Sequence, residues 1–238
     1  MNITKTKNYD EMSDKTLELF IDIINKNNKN RINIALTGGK TPLLFYKKLI
    51  ANLSKIKDIN KIHFYNFDEI PYKKDLSKGM TIEDLEKIFY LPAKINEKNI
   101  ERMNILNWKE YVNQLEKDGG LDLVLLGIGT DGHFCGNLSG VTKFGDTTRL
   151  INNKDLEKNI SVPKLDANLF HSHYVTLGPR EIMASKNIIM IANGENKSDI
   201  INKIINGPVI EEVPSSILTL HPNFNLIIDE DANKIVKV

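Results

Sequence analysis

The chain has 238 residues, of which 41% are hydrophobic, a proportion that suits one fairly large globular unit with a real core. Its 32 basic and 31 acidic side chains leave a formal charge of +1, so no field concentrates nucleic acid or an anionic membrane, and any bound anion needs a local site. The single cysteine, Cys135, excludes an internal disulfide and a cysteine-built zinc site. The start of the chain carries Lys5, Lys7, Asp10 and Glu11 where a signal peptide has an apolar run, and no apolar stretch reaches the roughly 18 residues of a membrane span. A soluble cytoplasmic protein with one domain over residues 1–238 is expected.

Leu17, Phe20, Ile21 and Ile24 recur at helical spacing and predict a helix near residues 12–26. Ile32 to Leu36 reads as a short buried strand, and the first strand is expected to begin near Arg31. The turn Thr37-Gly38-Gly39-Lys40-Thr41 breaks it, and Pro42 suits the first position of a helix carrying Leu43, Tyr46, Leu49, Ile50 and Leu53. Ile62 to Phe67 predicts another strand, Thr81 the N-cap of a helix running to about Leu91, and Trp108 to Lys117 a further helix. Leu121 to Leu126 is the clearest buried strand and runs into a glycine-rich stretch from Gly127 to Gly140. Strands follow at Ile188 to Ala192 and Leu226 to Ile228, with a helix over about 195–206 between them. Residues 141–170 are polar and show no clear period, which fits a loop or a lid.

Strands alternating with helices predict an α/β fold with a mostly parallel sheet covered on both faces, and ligands in such folds bind outside the carboxyl ends of the strands. The turn Thr37-Gly38-Gly39-Lys40-Thr41 lies at such an end. Its glycines let backbone N–H groups converge on an anion such as phosphate, or serve steric needs alone, and spacing leaves both readings open. It is neither a P-loop nor a dinucleotide fingerprint. Asp68 and Glu69 also follow a strand, where a carboxylate can act as a base, although paired surface acids are commonly just solvated. In Gly127-Ile128-Gly129-Thr130-Asp131-Gly132-His133, the Asp-x-His spacing can present an imidazole with a carboxylate beside it, or Asp131 can cap a helix while His133 packs. Lys197 stands near a helix start where its ammonium can reach a phosphate on the first loop. His171 and His173 are assigned no role.

Several segments together resemble, in order and spacing, the glucosamine-6-phosphate deaminase/isomerase and 6-phosphogluconolactonase superfamily. They are Leu36-Thr37-Gly38-Gly39-Lys40-Thr41-Pro42, Asn66-Phe67-Asp68-Glu69, Leu125-Leu126-Gly127-Ile128-Gly129-Thr130-Asp131-Gly132-His133, Gly194-Glu195-Asn196-Lys197 and Ser216-Ile217-Leu218-Thr219-Leu220-His221-Pro222. The resemblance implies a modified Rossmann-type three-layer sandwich and a small-molecule sugar phosphate as ligand, with no required metal or organic cofactor. By position it implies that Thr37, Gly38, Gly39, Lys40, Thr41 and Lys197 grip the phosphate. It implies further that Asp68 shuttles a proton between C2 and C1, and that His133 with Asp131 opens the sugar ring or, in the lactonase branch, helps water attack the ester.

The sequence departs from both branches. Leu138 stands where the deaminase pattern has a glutamate that supports the histidine, and Phe134-Cys135-Gly136-Asn137-Leu138-Ser139-Gly140 looks more like the lactonase tail. Yet Ile70 and Tyr174 stand at or near positions where lactonases carry arginines, and Arg180 is the nearest replacement phosphate contact. The first expectation is therefore an isomerase or deaminase of a hexosamine or hexose 6-phosphate, the second a sugar-phosphate lactonase, and the third a non-catalytic sugar-phosphate sensor. The oligomeric state is not legible.

Overall fold

The computed structural model describes residues 1–157 and 165–235. Its centre is a seven-stranded sheet of β1 (Asn2–Thr6), β2 (Ile32–Leu36), β3 (Ile62–Asn66), β5 (Ile100–Glu101), β6 (Leu123–Leu126), β9 (Ile188–Ala192) and β10 (Phe224–Asp229). The order across the sheet is β1-β10-β9-β6-β2-β3-β5, and every pairing is parallel. A second, three-stranded antiparallel sheet joins β4 (Asp68–Glu69), β8 (His173–Thr176) and β7 (Arg149–Asn152).

Parallel strands are buried on both faces, so successive side chains feed two separate cores. On one face Ile34, Leu36, Phe64, Leu123, Leu125, Ile189 and Ile191 pack under α1 (Tyr9–Lys26), α2 (Leu43–Ala51) and α3 (Met80–Leu85). On the other, Ala35, Tyr65, Val124, Leu126, Met190 and Ile228 pack under α4 (Trp108–Lys117), α6 (Pro179–Met183) and α7 (Ser198–Asn206). This is the three-layer arrangement expected. A short α5 (Asn153–Glu157) follows β7, and a third apolar cluster of Leu138, Ile151, Leu165 and Tyr174 underlies the small sheet.

The structure corrects several expectations. The first strand is Asn2–Thr6, which pairs in parallel with β10; its burial pattern is mostly exposed, so hydrophobicity did not reveal it. The helix expected from residue 12 begins at Tyr9 because Asn8 caps it, its side chain accepting from the N–H of Glu11 at 3.0 Å. Pro42 is the N-cap of α2 rather than its first helical residue. Thr81 is not a cap: Gly79 precedes the helix, and α3 continues as a π-helical turn over Glu86–Tyr90 that drives Phe89 and Tyr90 into the aromatic core. The polar stretch expected as a loop or lid supplies β7 and α5, and β8 follows it; residues 158–164 of that stretch lie outside the described residues.

Chain order runs outward from β2 through β3 to β5 on one side and from β6 through β9 to β10 on the other. Between β2 and β6 the winding reverses, and at such a point the loops leaving adjacent strands diverge and open a crevice. The loops that follow β2 and β6 are the two glycine-rich segments singled out above.

Candidate active site

The two loops meet at the crevice. A Cβ placed on Gly127 would stand 4.0 Å from the Thr37 hydroxyl oxygen, ordinary van der Waals contact. In the first loop Gly39 has φ +84°, a left-handed conformation that glycine adopts without strain. Tyr46 donates to the Thr37 carbonyl at 2.6 Å, and Tyr9 donates to the Thr41 carbonyl at 2.9 Å, fixing the loop from behind. Among the described residues no hydrogen bond has the N–H of Gly38, Gly39, Lys40 or Thr41 as donor, so these groups at the positive end of α2 are available to an anion. The Lys40 side chain is exposed and, with Tyr9, Leu43, Leu44, Lys47 and Asn193, lines a surface cavity of about 490 Å³ beside α2 that includes none of Asp68, Asp131 or His133.

In the second loop His133 donates from Nδ1 to Asp131 Oδ1 at 2.7 Å. With that proton on Nδ1, a neutral imidazole carries its lone pair on Nε2. Gly129 is required for the pair, since a Cβ there would overlap both the His133 ring and the Asp131 carboxylate. Asp131 does not cap a helix, because none begins there. The ammonium of Lys197 donates to the Ile128 carbonyl at 2.7 Å, and burial pulls it below the ordinary lysine value while Asp131 pushes the other way. The turn that carries it is fixed from the next strand, where Asp229 accepts from the Gly194 N–H at 3.0 Å.

Asp68 reaches this assembly through the small sheet. Directly after β3 the chain leaves the main sheet, and Asp68 pairs with Thr176 across to β8. The loop after His133 is stapled to the same strand: Gly136 N–H donates to the Thr176 hydroxyl at 3.0 Å, Tyr174 donates to the Gly136 carbonyl at 2.8 Å, and Asn137 donates to the Leu177 carbonyl at 2.9 Å. Gly136 cannot be larger, because a Cβ would run into Tyr174 and Thr176. This seam brings the imidazole loop against the Asp68 strand. Burial pushes the Asp68 carboxyl up to about 6, opposed by a hydrogen bond from Thr81 at 3.1 Å and by the nearby His133.

Glu69 is not a solvated neighbour of Asp68. It is 1% exposed and accepts from the N–H groups of Ile70, Thr81 and Ile82 at 2.9, 2.8 and 2.9 Å, so it caps α3 from a distant strand. Strand alternation sends the two adjacent acids in opposite directions, one into the crevice and one under the helix. Burial pushes Glu69 up to about 8 against those three donors.

Arg180 is exposed on α6, and among the described residues no hydrogen bond or ion pair joins its side chain to the first loop. The arginine that sequence reasoning missed is Arg149. It pairs with Thr176 on the opposite side from Asp68, which puts all three on one face of the small sheet, and donates to Thr142 at 2.8 Å and Asn137 at 3.3 Å while paired with Asp146 at 3.2 Å. No period-2 signal marks this strand in the sequence, because Leu150 and Ile151 are adjacent apolar residues between Arg149 and Asn152. Burial pushes the thiol of Cys135 far above its ordinary value, which leaves no thiolate for nucleophilic work. The rings of His171 and His173 lie tilted at 43° with centroids 5.9 Å apart at the start of β8, and among the described residues no group of side chains could hold a metal ion.

The family model described as glucosamine-6-phosphate isomerases/6-phosphogluconolactonase matches residues 7–227. The chain belongs to this family. Similar curated members are a glucosamine-6-phosphate deaminase of Clostridium acetobutylicum, 33% identical over 249 residues and covering 99% of this chain and 100% of the relative, and one of Clostridium botulinum (strain Langeland), 31% identical over 255 residues with both chains covered completely. Among solved structures, a monomeric glucosamine-6-phosphate deaminase superposes with a TM-score of 0.85 at 23% identity, covering 99% of this chain and 100% of that one. A 6-phosphogluconolactonase from Trypanosoma cruzi gives 0.75 at 20% identity, covering 100% and 97%. At these identities the structural likeness speaks for the shared α/β fold.

Proposed function

We propose that this family member is a single-domain cytoplasmic enzyme that converts glucosamine 6-phosphate, or a close hexosamine or hexose 6-phosphate, by the isomerase/deaminase reaction. The carrying observation is a crevice-lining carboxyl, Asp68, pushed up to about 6 and set beside the His133–Asp131 pair. A group that must take a proton from one carbon and return it to the next works best with an affinity close to the working pH.

In this reading the phosphate sits on the N–H groups of residues 38–41, with Thr37 beside them and the Lys197 ammonium opposite. His133, polarised by Asp131, moves the proton that opens the ring. Asp68 then removes the C2 proton and delivers it to C1, after which water adds at C2 and ammonia leaves. Arg180 stays a peripheral candidate for phosphate contact. Nucleic acid has no place in this reading, and no described helix is long and apolar enough to cross a membrane.

Leu138 supports a second reading, lactone hydrolysis. It stands where the deaminase pattern has glutamate, and it is 1% exposed within an apolar cluster. Incubating the purified protein with glucosamine 6-phosphate and with 6-phosphogluconolactone in parallel, following ammonia and acid, tests both. Ammonia release is expected; acid release above the spontaneous rate without ammonia would replace the first reading by the second. Binding of a sugar phosphate with neither product would leave a sensor.

A further inference from the structure

Asp68 is held from α3, not from its own strand. The Thr81 hydroxyl donates to Asp68 Oδ1 at 3.1 Å. Thr81 is itself immobilised, because its N–H and that of Ile82 end on the two oxygens of Glu69 at 2.8 and 2.9 Å, and Met80 N–H donates to the Ile70 carbonyl at 3.0 Å. Gly79 lets the segments close on each other, since a Cβ there would overlap the Glu69 carboxylate and the Ile70 carbonyl. Residues 69–70 and 79–82 thus form one clamp, and the residue after the base anchors the helix that supplies the base with its donor.

We propose that Thr81 is the positioning residue for Asp68: its hydroxyl ties down Oδ1, turns Oδ2 toward the substrate and favours the ionised carboxylate. The proposal deepens the reading of Asp68 as the proton-shuttling base and takes its catalytic meaning from it. The groups that face Asp68 are Thr81 from α3, His133 and Cys135 from the loop after β6, Tyr174 from β8 and Glu69 beside it in β4. His133 favours the ionised form, the Asp68 charge in turn pushes Glu69 up, and Cys135 and Tyr174 are held neutral by burial. Thr81 is the one among them that donates a hydrogen bond to the carboxylate.

The experiment compares Thr81→Val, which removes the donor and keeps the shape, with Thr81→Ser, which keeps the donor. The Asp68 carboxyl is titrated by carbon-13 NMR, assigned by its absence in Asp68→Asn, and the pH profile of kcat is recorded alongside. A hydrogen bond to a charged group is worth enough to move the valine variant's titration up by about one pH unit, so that the acid limb moves up with it and the rate near pH 6 falls roughly fivefold. The serine variant is expected to titrate like the parent. A folded valine variant whose Asp68 titrates within about 0.3 pH unit of the parent would overturn the proposal, as would equal displacement in the serine variant. If the parent turns over no sugar phosphate, the functional reading falls, and the carboxyl titration still decides the role of Thr81.

Discussion

Asp68→Asn separates what Asp68 does for the reaction from what it costs the fold. The folded protein holds the Asp68 proton up to about 6 against an ordinary 3.8, a gap that corresponds to about 3 kcal/mol at 1.36 kcal/mol per pH unit. Residual solvent contact at this half-buried side chain reduces this to about 2 kcal/mol. The sign follows from proton affinity: between pH 3.8 and about 6 the folded state binds more protons than the unfolded chain, so stability is full below the lower value and declines as pH rises through the upper one. The asparagine variant escapes that decline. In urea at pH 7.5 it is expected to be more stable than the parent by about 2 kcal/mol, or ~4–8 °C in melting temperature, with the advantage vanishing near pH 4. Glu69, pushed up to about 8 in part by the Asp68 charge, declines less in the variant, so the difference between their curves reports the Asp68 carboxylate together with its effect on Glu69. The same variant should lose at least about a hundredfold in rate on an aldose–ketose substrate. A variant no more stable than the parent at pH 7.5 would refute the electrostatic account, and activity within tenfold of the parent would remove Asp68 as the base.

Lys197→Met should lower kcat/KM for a phosphorylated sugar by about 10–100-fold, the range for a lost charged hydrogen bond, and an unchanged value in steady-state kinetics would detach it from the phosphate. Gly129→Ala forces the His133–Asp131 pair apart, and a misplacement of that kind should cut kcat by about tenfold or more while the circular dichroism spectrum stays that of the parent. Leu138→Glu places a carboxyl in the cluster of Ile151, Leu165 and Tyr174 and should cost about 2–4 kcal/mol in chemical denaturation; a cost under ~1 kcal/mol would mean that the site is open to water.

The buried parallel strands were legible because they are continuous apolar runs between glycine-rich turns: Ile32 to Leu36 and Ile188 to Ala192 lie where the sequence puts them. The glycine loops at their carboxyl ends were legible for the same reason. What escaped was built from pairing rather than from hydrophobicity. Strand β1 is largely exposed, and β4 is only Asp68 and Glu69, too short for any period. The small sheet exists because Thr176 meets Asp68 on one side and Arg149 on the other, contacts between segments up to about a hundred residues apart that no local window contains. The cap of α3 is equally non-local, since Glu69 stands where a residue next to the helix would ordinarily serve.

The cost of holding Asp68 bears on which reaction the crevice serves. Attack of water on a lactone needs an imidazole poised by a carboxylate, and His133 with Asp131 meets that need without any further acid. Moving a proton between adjacent carbons needs a separate group that can be base and acid within one turnover. Here such a group is half-buried beside the imidazole, pushed up to about 6 and steadied by Thr81, while Glu69 is committed to the helix that carries Thr81. The clamp on Asp68 therefore weighs toward proton transfer, even though Leu138 has removed the glutamate that the deaminase pattern sets near its histidine.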